Sequence, residues 1–202
     1  MIKEIKPTVF VVDDDTAVRD SLRMLLKSVG LPVEVFESGQ EFLDADRDDR
    51  PGCLVLDIRM PGMSGLELQV KLNERHSILP IIFITGHGDV PMAVEAMQAG
   101  AVDFIQKPFR DQDLLDRINQ ALEKDAGSRR MLAERNMIRK RLESLTPREK
   151  EVLDLVVAGK ANKVIAGDLN LSQRTVEIHR ARVMEKMEAH SLAHLVRMVL
   201  EV

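Results

Sequence analysis

Hydrophobic positions change their spacing along this chain. In the first 124 residues, short runs rich in β-branched and aromatic residues fall at Thr8–Val12, Val33–Phe36, Leu54–Leu56, Ile81–Thr85 and Val102–Ile105. Runs of that length and composition, bounded by polar or Gly/Pro-containing stretches, read as β-strands. Between and after them lie amphipathic stretches at about 16–29, 39–47, 65–75, 89–99 and 111–124, where apolar residues recur at helical period. Five strands alternating with five helices predict an α/β fold, a doubly wound parallel sheet covered on both faces. The first, third and fourth runs are almost wholly apolar and are expected at the centre of the sheet.

Past residue 124 no run reads as a strand. Residues 129–143, RRMLAERNMIRKRLE, are mostly charged, and Met131, Ile138, Leu142 and Leu145 form only a thin apolar stripe. Such a stripe suits a helical linker or a partner-binding seam, with Gly127-Ser128 as its expected weak point. The segment LTPREKEVLDLVVAG then opens with a helix-start signal: Thr146 as N-cap, Pro147 at the first helical position and Glu149 closing a capping box. Gly159 ends that helix. A short helix, a tight turn at Asn170–Leu171 and a longer helix capped by Ser172 follow. The expected organisation is a first domain over 1–124, a helical linker over 125–143 and an all-α domain over 144–202.

Charge sharpens this division. Of the 202 residues, 1–124 hold 22 acidic and 14 basic side chains, whereas 125–202 hold 11 and 15. The acidic part suits a cation and the basic part a polyanion. No apolar run is long enough to span a bilayer. The first seven residues lack the apolar core of a signal peptide, so the protein is expected in the cytoplasm. The single cysteine, Cys53, heads an apolar run and is read as a small core residue.

In an open parallel sheet, functional groups gather in the loops at the carboxyl ends of the strands. Here those ends carry Asp13-Asp14-Asp15 after the first strand, Asp57 after the third and Thr85 after the fourth, with Lys107-Pro108 following the fifth. Clustered carboxylates stay ionised together when a cation compensates them, and an oxygen donor set suits Mg2+. Asp57, at the sheet edge before a Pro-Gly turn, is placed to attack a phosphoryl donor, with Lys107 neutralising charge and Thr85 donating a hydrogen bond. Taken singly, each residue has a plainer reading as a helix cap, loop residue or solvated lysine. Their distribution, one at each appropriate strand end, carries the inference.

The motifs VVDDD, VLDIRMPGMSGLEL, IIFITGHGD and AGAVDFIQKPF, in this order across residues 8–123, resemble the receiver domain of two-component response regulators. The resemblance implies strand order 2-1-3-4-5, with Asp57 as phosphoacceptor. Asp14 and Asp57 then bind Mg2+ directly, Asp13 acts mainly through water, and the Arg59 main-chain carbonyl adds a ligand. It also makes Thr85 and Phe104 a switch pair, Lys107 the phosphoryl-stabilising lysine, and the peptide before Pro108 cis. Phe104 stands where many relatives have tyrosine. Asp15 is read as the cap of the first helix, and His87 as a loop histidine without a function.

In the basic half, Lys160 and Lys163 flank the shorter helix, and Arg174, Arg180, Arg182 and Lys186 line the longer one. Two helices joined by a tight turn, the second arginine-rich, are the pattern of a major-groove reader. Val164, Ile165, Leu169, Val176, Val183 and Met187 are expected to pack the pair together. Residues 144–202, with LTPREKEVL and NKVIAGDLNLSQRTVEIHRARVMEKM, resemble the LuxR-type output domain, most closely that of the FixJ-like subfamily. The resemblance places Lys163, Arg174, Thr175, Glu177, Ile178, Arg180, Ala181 and Arg182 nearest DNA. Glu177, where many relatives have lysine, either accepts from cytosine N4 or orients Arg174 or Arg180. His190 and His194, four residues apart, are read as surface residues.

Together the two resemblances imply a transcription factor rather than an enzyme. Its partners are a sensor histidine kinase, DNA, RNA polymerase and, on phosphorylation, a second copy of itself, with no membrane. Asp13 and Asp15 also meet the spacing of an aspartyl-nucleophile phosphohydrolase, but no cap domain or substrate pocket accompanies them. An RNA-binding antiterminator with a receiver is a third reading, against which the RTVEIHRARV helix argues.

Overall fold

The computed structural model describes residues 6–47, 50–86 and 90–201, and His87 lies outside them. The chain forms two compact units, Met1–Arg129 and Arg130–Val202.

In the first unit, strands β1 (Thr8–Val12), β2 (Val33–Phe36), β3 (Gly52–Asp57), β4 (Ile81–Thr85) and β5 (Asp103–Gln106) form one parallel sheet in the order β2-β1-β3-β4-β5. The almost wholly apolar strands β1, β3 and β4 are central, as their composition predicts. Alternation along each strand sorts side chains onto two faces. Phe10, Val12, Leu54, Leu56 and Phe83 pack against helices α2 (Gly39–Asp44) and α3 (Gly65–Glu74) and against Ala96 of α4 (Val90–Gln98). Val9, Val11, Cys53, Val55, Ile82 and Ile84 pack against α1 (Thr16–Ser28) and α5 (Asp111–Glu143). Cys53 is wholly buried, and desolvation pushes its thiol pKa up to about 12.

Helix starts follow local chemistry. Asp15 caps α1 by accepting from Ala17 N at 2.8 Å, which accounts for the third aspartate of the triplet. Ser64 and Glu67 form a reciprocal capping box that sets where α3 begins.

Helix α5 differs from expectation. It runs without interruption to Glu143, through the predicted weak point at Gly127-Ser128. Asp125, assigned to the linker from sequence, belongs to the first unit. It is 2% exposed, accepts from Gly52 N at 2.9 Å, and pairs with Arg129 one turn later, also at 2.9 Å. A buried carboxylate with these partners stabilises the helix well past residue 124.

The second unit contains the end of α5 followed by α6 (Pro147–Val157), α7 (Asn162–Asp168), α8 (Gln173–Lys186) and α9 (Leu192–Leu200). Thr146, Pro147 and Glu149 start α6 as predicted, and Ser172 caps α8. Ile138, Leu145, Val152, Ile165, Val176, Val183, Met187 and Leu195 share one core. Val164 departs from expectation: it is 48% exposed and points away from that core. Among the described residues no helix is long and apolar enough to cross a membrane.

Candidate functional site

At the carboxyl rim of the first sheet, three strand ends meet around one ammonium group. Asp13 leaves β1 with only 1% of its surface exposed. Its Oδ1 accepts from Asp15 N at 2.9 Å, its carbonyl accepts from Arg19 at 2.6 Å, and its Oδ2 accepts from Lys107 Nζ at 2.8 Å. Asp57, at the end of β3, accepts from Lys107 Nζ at 2.9 Å through Oδ1 and from Arg59 N at 2.9 Å through Oδ2. The peptide after Lys107 is cis, as the resemblance implies. Gly65, at the start of α3, donates to the Ile58 carbonyl at 2.9 Å, and a Cβ there would lie 2.3 Å from the Asp57 carbonyl oxygen. Glycine at 65 therefore lets α3 start directly against the backbone that carries Asp57.

Burial and charge act in opposite directions here. Burial raises the Asp57 pKa, Lys107 draws it down, and the neighbouring Asp13 charge pushes it up again, for a net rise. For Lys107, burial favours the neutral amine, but its hydrogen bonds to two carboxylates outweigh burial and hold its pKa above the usual range. Two near-buried carboxylates thus share one cation, an arrangement poised to receive further positive charge.

Thr85 and Phe104 lie on adjacent strands. Thr85 is 3% exposed, and its hydroxyl donates to the Gly86 carbonyl at 2.9 Å. Phe104 turns its ring outward, 38% exposed. Asp14, directly after Asp13, is exposed. Among the described residues no three carboxylate, imidazole or thiolate side chains close tightly enough to hold a metal ion, and Lys107 bridges Asp13 and Asp57 instead. The donor chemistry nonetheless fits a hard cation, because every predicted ligand offers oxygen from the same rim.

In the second unit, the positions expected near DNA divide into two groups. Lys163, Arg174, Glu177, Ile178, Ala181 and Arg182 are exposed along α7 and α8. Thr175 and Arg180 are half-buried and already engaged. Thr175 shares a 2.8 Å hydrogen bond with the Ser172 hydroxyl, and Arg180 donates to Asn162 Oδ1 at 2.7 Å. Asn162 therefore orients Arg180 across the two helices, a role its position in sequence does not signal.

Sequence reasoning also read Glu149 as a cap and no more. It is 2% exposed, and Lys186 near the end of α8 donates to it at 2.7 Å. The Lys186 hydrogen bond, reinforced by the Thr146 backbone, holds the Glu149 pKa at about 2. This pair fixes the start of α6 to the end of the longer helix. His190 and His194 stack with ring centroids 5.5 Å apart on the rim of the same unit.

Comparison with known proteins follows the same division. Residues 9–119 match the family described as response regulator receiver domain, and residues 143–199 match the luxR family of bacterial regulatory proteins. The chain is 52% identical over 193 residues to the transcriptional regulatory protein FixJ of Rhizobium meliloti, spanning 96% of this chain and 95% of that protein. Among solved structures it is similar to the response regulator StyR, with 49% identity, a TM-score of 0.89 and coverage of 98% of this chain and 100% of StyR. It is also similar to full-length FixJ from B. japonicum, with 46% identity, a TM-score of 0.61 and 97% of each chain covered.

Proposed function

Because the chain belongs to the FixJ-type two-component response regulators, with a receiver domain and a LuxR-type DNA-binding domain that regulates transcription, we propose that its switch is phosphorylation of Asp57 by a sensor histidine kinase. The observation that carries this reading is the Lys107 ammonium, 2.8 Å from Asp13 and 2.9 Å from Asp57.

An Asp57 carboxylate oxygen attacks the phosphorus of a phosphohistidine, and the bond from phosphorus to the imidazole nitrogen breaks as the imidazole leaves. Lys107 moves with the developing negative charge, from a carboxylate oxygen to a phosphoryl oxygen. The Thr85 hydroxyl exchanges its Gly86 carbonyl for another phosphoryl oxygen, and the space it vacates receives the Phe104 ring. Asp13, Asp14, Asp57 and the Arg59 carbonyl would hold Mg2+, which supplies positive charge beside the phosphoryl group and lets the carboxylates remain ionised together.

Exposed Val94 (50%), Met97 (39%) and Phe104 (38%) give the face of α4 and β5 an apolar surface suited to pairing with a second copy. Withdrawing the Phe104 ring reshapes that surface and favours a dimer. Two paired output domains then occupy two half-sites of a roughly palindromic operator, with α8 in the major groove, and act on RNA polymerase from there.

Treatment with acetyl phosphate and Mg2+, read by phosphate-retarding gels and by sizing, tests this reading. The native chain gains a labelled, paired form, and Asp57→Asn gains neither. Labelling of Asp57→Asn to the native extent would overturn it.

A further inference from the structure

Positive charge is unevenly placed within the basic half. Residues 130–143 carry five basic and two acidic side chains, whereas residues 144–202 carry nine and eight. Apart from its α5 segment, the helix-turn-helix unit is therefore close to neutral. Many of its own cations are also engaged: Arg148 with Glu151, Lys160 with Asp168, Lys186 with Glu149 and Arg180 with Asn162. Along α5, by contrast, the side chains of Arg130, Arg139 and Lys140 are exposed and make no ion pair or hydrogen bond among the described residues.

These cations do not sit on a loose connector. Ile138 and Leu145 are 3% and 4% exposed, in the same core as Val176, Val183 and Met187 of the recognition-helix region. Arg141 pairs with Glu188, just past the end of α8, and Lys186 Nζ donates to the Ser144 carbonyl at 3.2 Å. Arg139 and Lys140 are thus held on the same rigid body as α8, within one turn of a direct link to its end. Like charges fixed together repel one another; the phosphates of a polyanion compensate them, and the counterions released from the polyanion favour binding.

We propose that the α5 segment around Arg139 and Lys140 is a second DNA contact, which binds backbone phosphates beyond the major-groove site and reads no bases. It rests on the DNA-binding reading of the second unit. The recognition helix supplies base contacts through exposed Arg174, Glu177 and Ile178, while the α5 cations add sequence-independent affinity that helps set orientation.

The test uses the full-length chain, with and without acetyl phosphate, on a duplex it selects from a random pool and on a mixed-sequence duplex. Binding of the native chain and of R139Q/K140Q is measured across a salt series. Glutamine keeps helix propensity and removes the charge. The slope of log K against log salt is expected to become shallower by about two for each bound protomer on both duplexes, with base preference unchanged. R139K/K140R, which keeps both charges, is expected to retain the native slope. An unchanged slope in R139Q/K140Q would overturn the proposal, as would a changed base preference with an unchanged slope. If the native chain selects no sequence but the slope difference persists on mixed duplex, base-specific reading fails and the phosphate contact stands. Binding to neither duplex overturns both.

Discussion

Asp13 and Asp57 reach Lys107 across 94 and 50 residues of chain, whereas Arg139, Lys140 and Arg141 are consecutive on one helix. The first arrangement exists only after the sheet has formed, because parallel strand order and register bring the strand ends to one rim. The second is written in local sequence and needs only a helix. Buried charges in the first region compensate each other at hydrogen-bond distance, and exposed charges in the second mostly face water. The proposed phosphoryl transfer falls where topology concentrates charge in a confined place. Binding to an extended polyanion needs only a charged face.

Substituting one glycine beside the rim and one on α5 separates a confined backbone from an open helix most sharply. Gly65→Ala would drive a methyl group to 2.3 Å from the Asp57 carbonyl oxygen. It is expected to cost at least about 3 kcal/mol in chemical denaturation, because backbone on both sides must move. Gly127→Ala, on α5 with nothing within 4 Å of the new methyl, is expected to stabilise the chain by roughly 0.5–1 kcal/mol. Equal signs for the two would break the contrast between a topologically confined region and an open helix.

Lys107→Met tests charge sharing at the rim. With the ammonium gone, Asp13 and Asp57 face each other without their common partner, and developing phosphoryl charge loses a donor. Labelling by acetyl phosphate is expected to slow on the order of a hundredfold, while circular dichroism stays native.

A smaller effect than either Gly65→Ala or Lys107→Met is expected of Lys186→Met in the second unit. The folded pKa of Glu149 is lowered from 4.5 to about 2, so its contribution to stability is complete above pH 4.5 and is lost as pH falls toward 2. Removing Lys186 is expected to lower stability by about 1 kcal/mol near neutral pH and to flatten the pH dependence of melting between pH 3 and 6. A pH profile parallel to that of the native chain would remove Lys186 as the cause of the shift.

Strand positions and the central placement of β1, β3 and β4 were legible because a sheet covered on both faces demands apolar side chains at nearly every position between the strand ends. The pattern places the last strand at Val102–Ile105, one residue early relative to Asp103–Gln106, since the polar edge strand carries a weaker signal. Asp15 was separable from Asp13 and Asp14 because capping is local. The course of α5 was not legible: Gly127 is a weak point by propensity, but Asp125, Arg129 and the Gly52 amide form a contact spanning 73 residues that overrides it. Helical spacing places Val164 near the packing face, whereas only the three-dimensional helix pair determines which edge of that face is covered. The engagement of Arg180 by Asn162 and of Glu149 by Lys186 likewise depends on how helices cross.

Locating the phosphoryl group by chemistry tests the central claim most directly. The native chain is treated with acetyl phosphate and Mg2+, reduced with borohydride and mapped by peptide mass spectrometry. Reduction of an aspartyl phosphate leaves homoserine, which is expected at position 57 alone. Homoserine at position 13 with Asp57 unmodified would contradict the account and favour a phosphohydrolase nucleophile on the first strand.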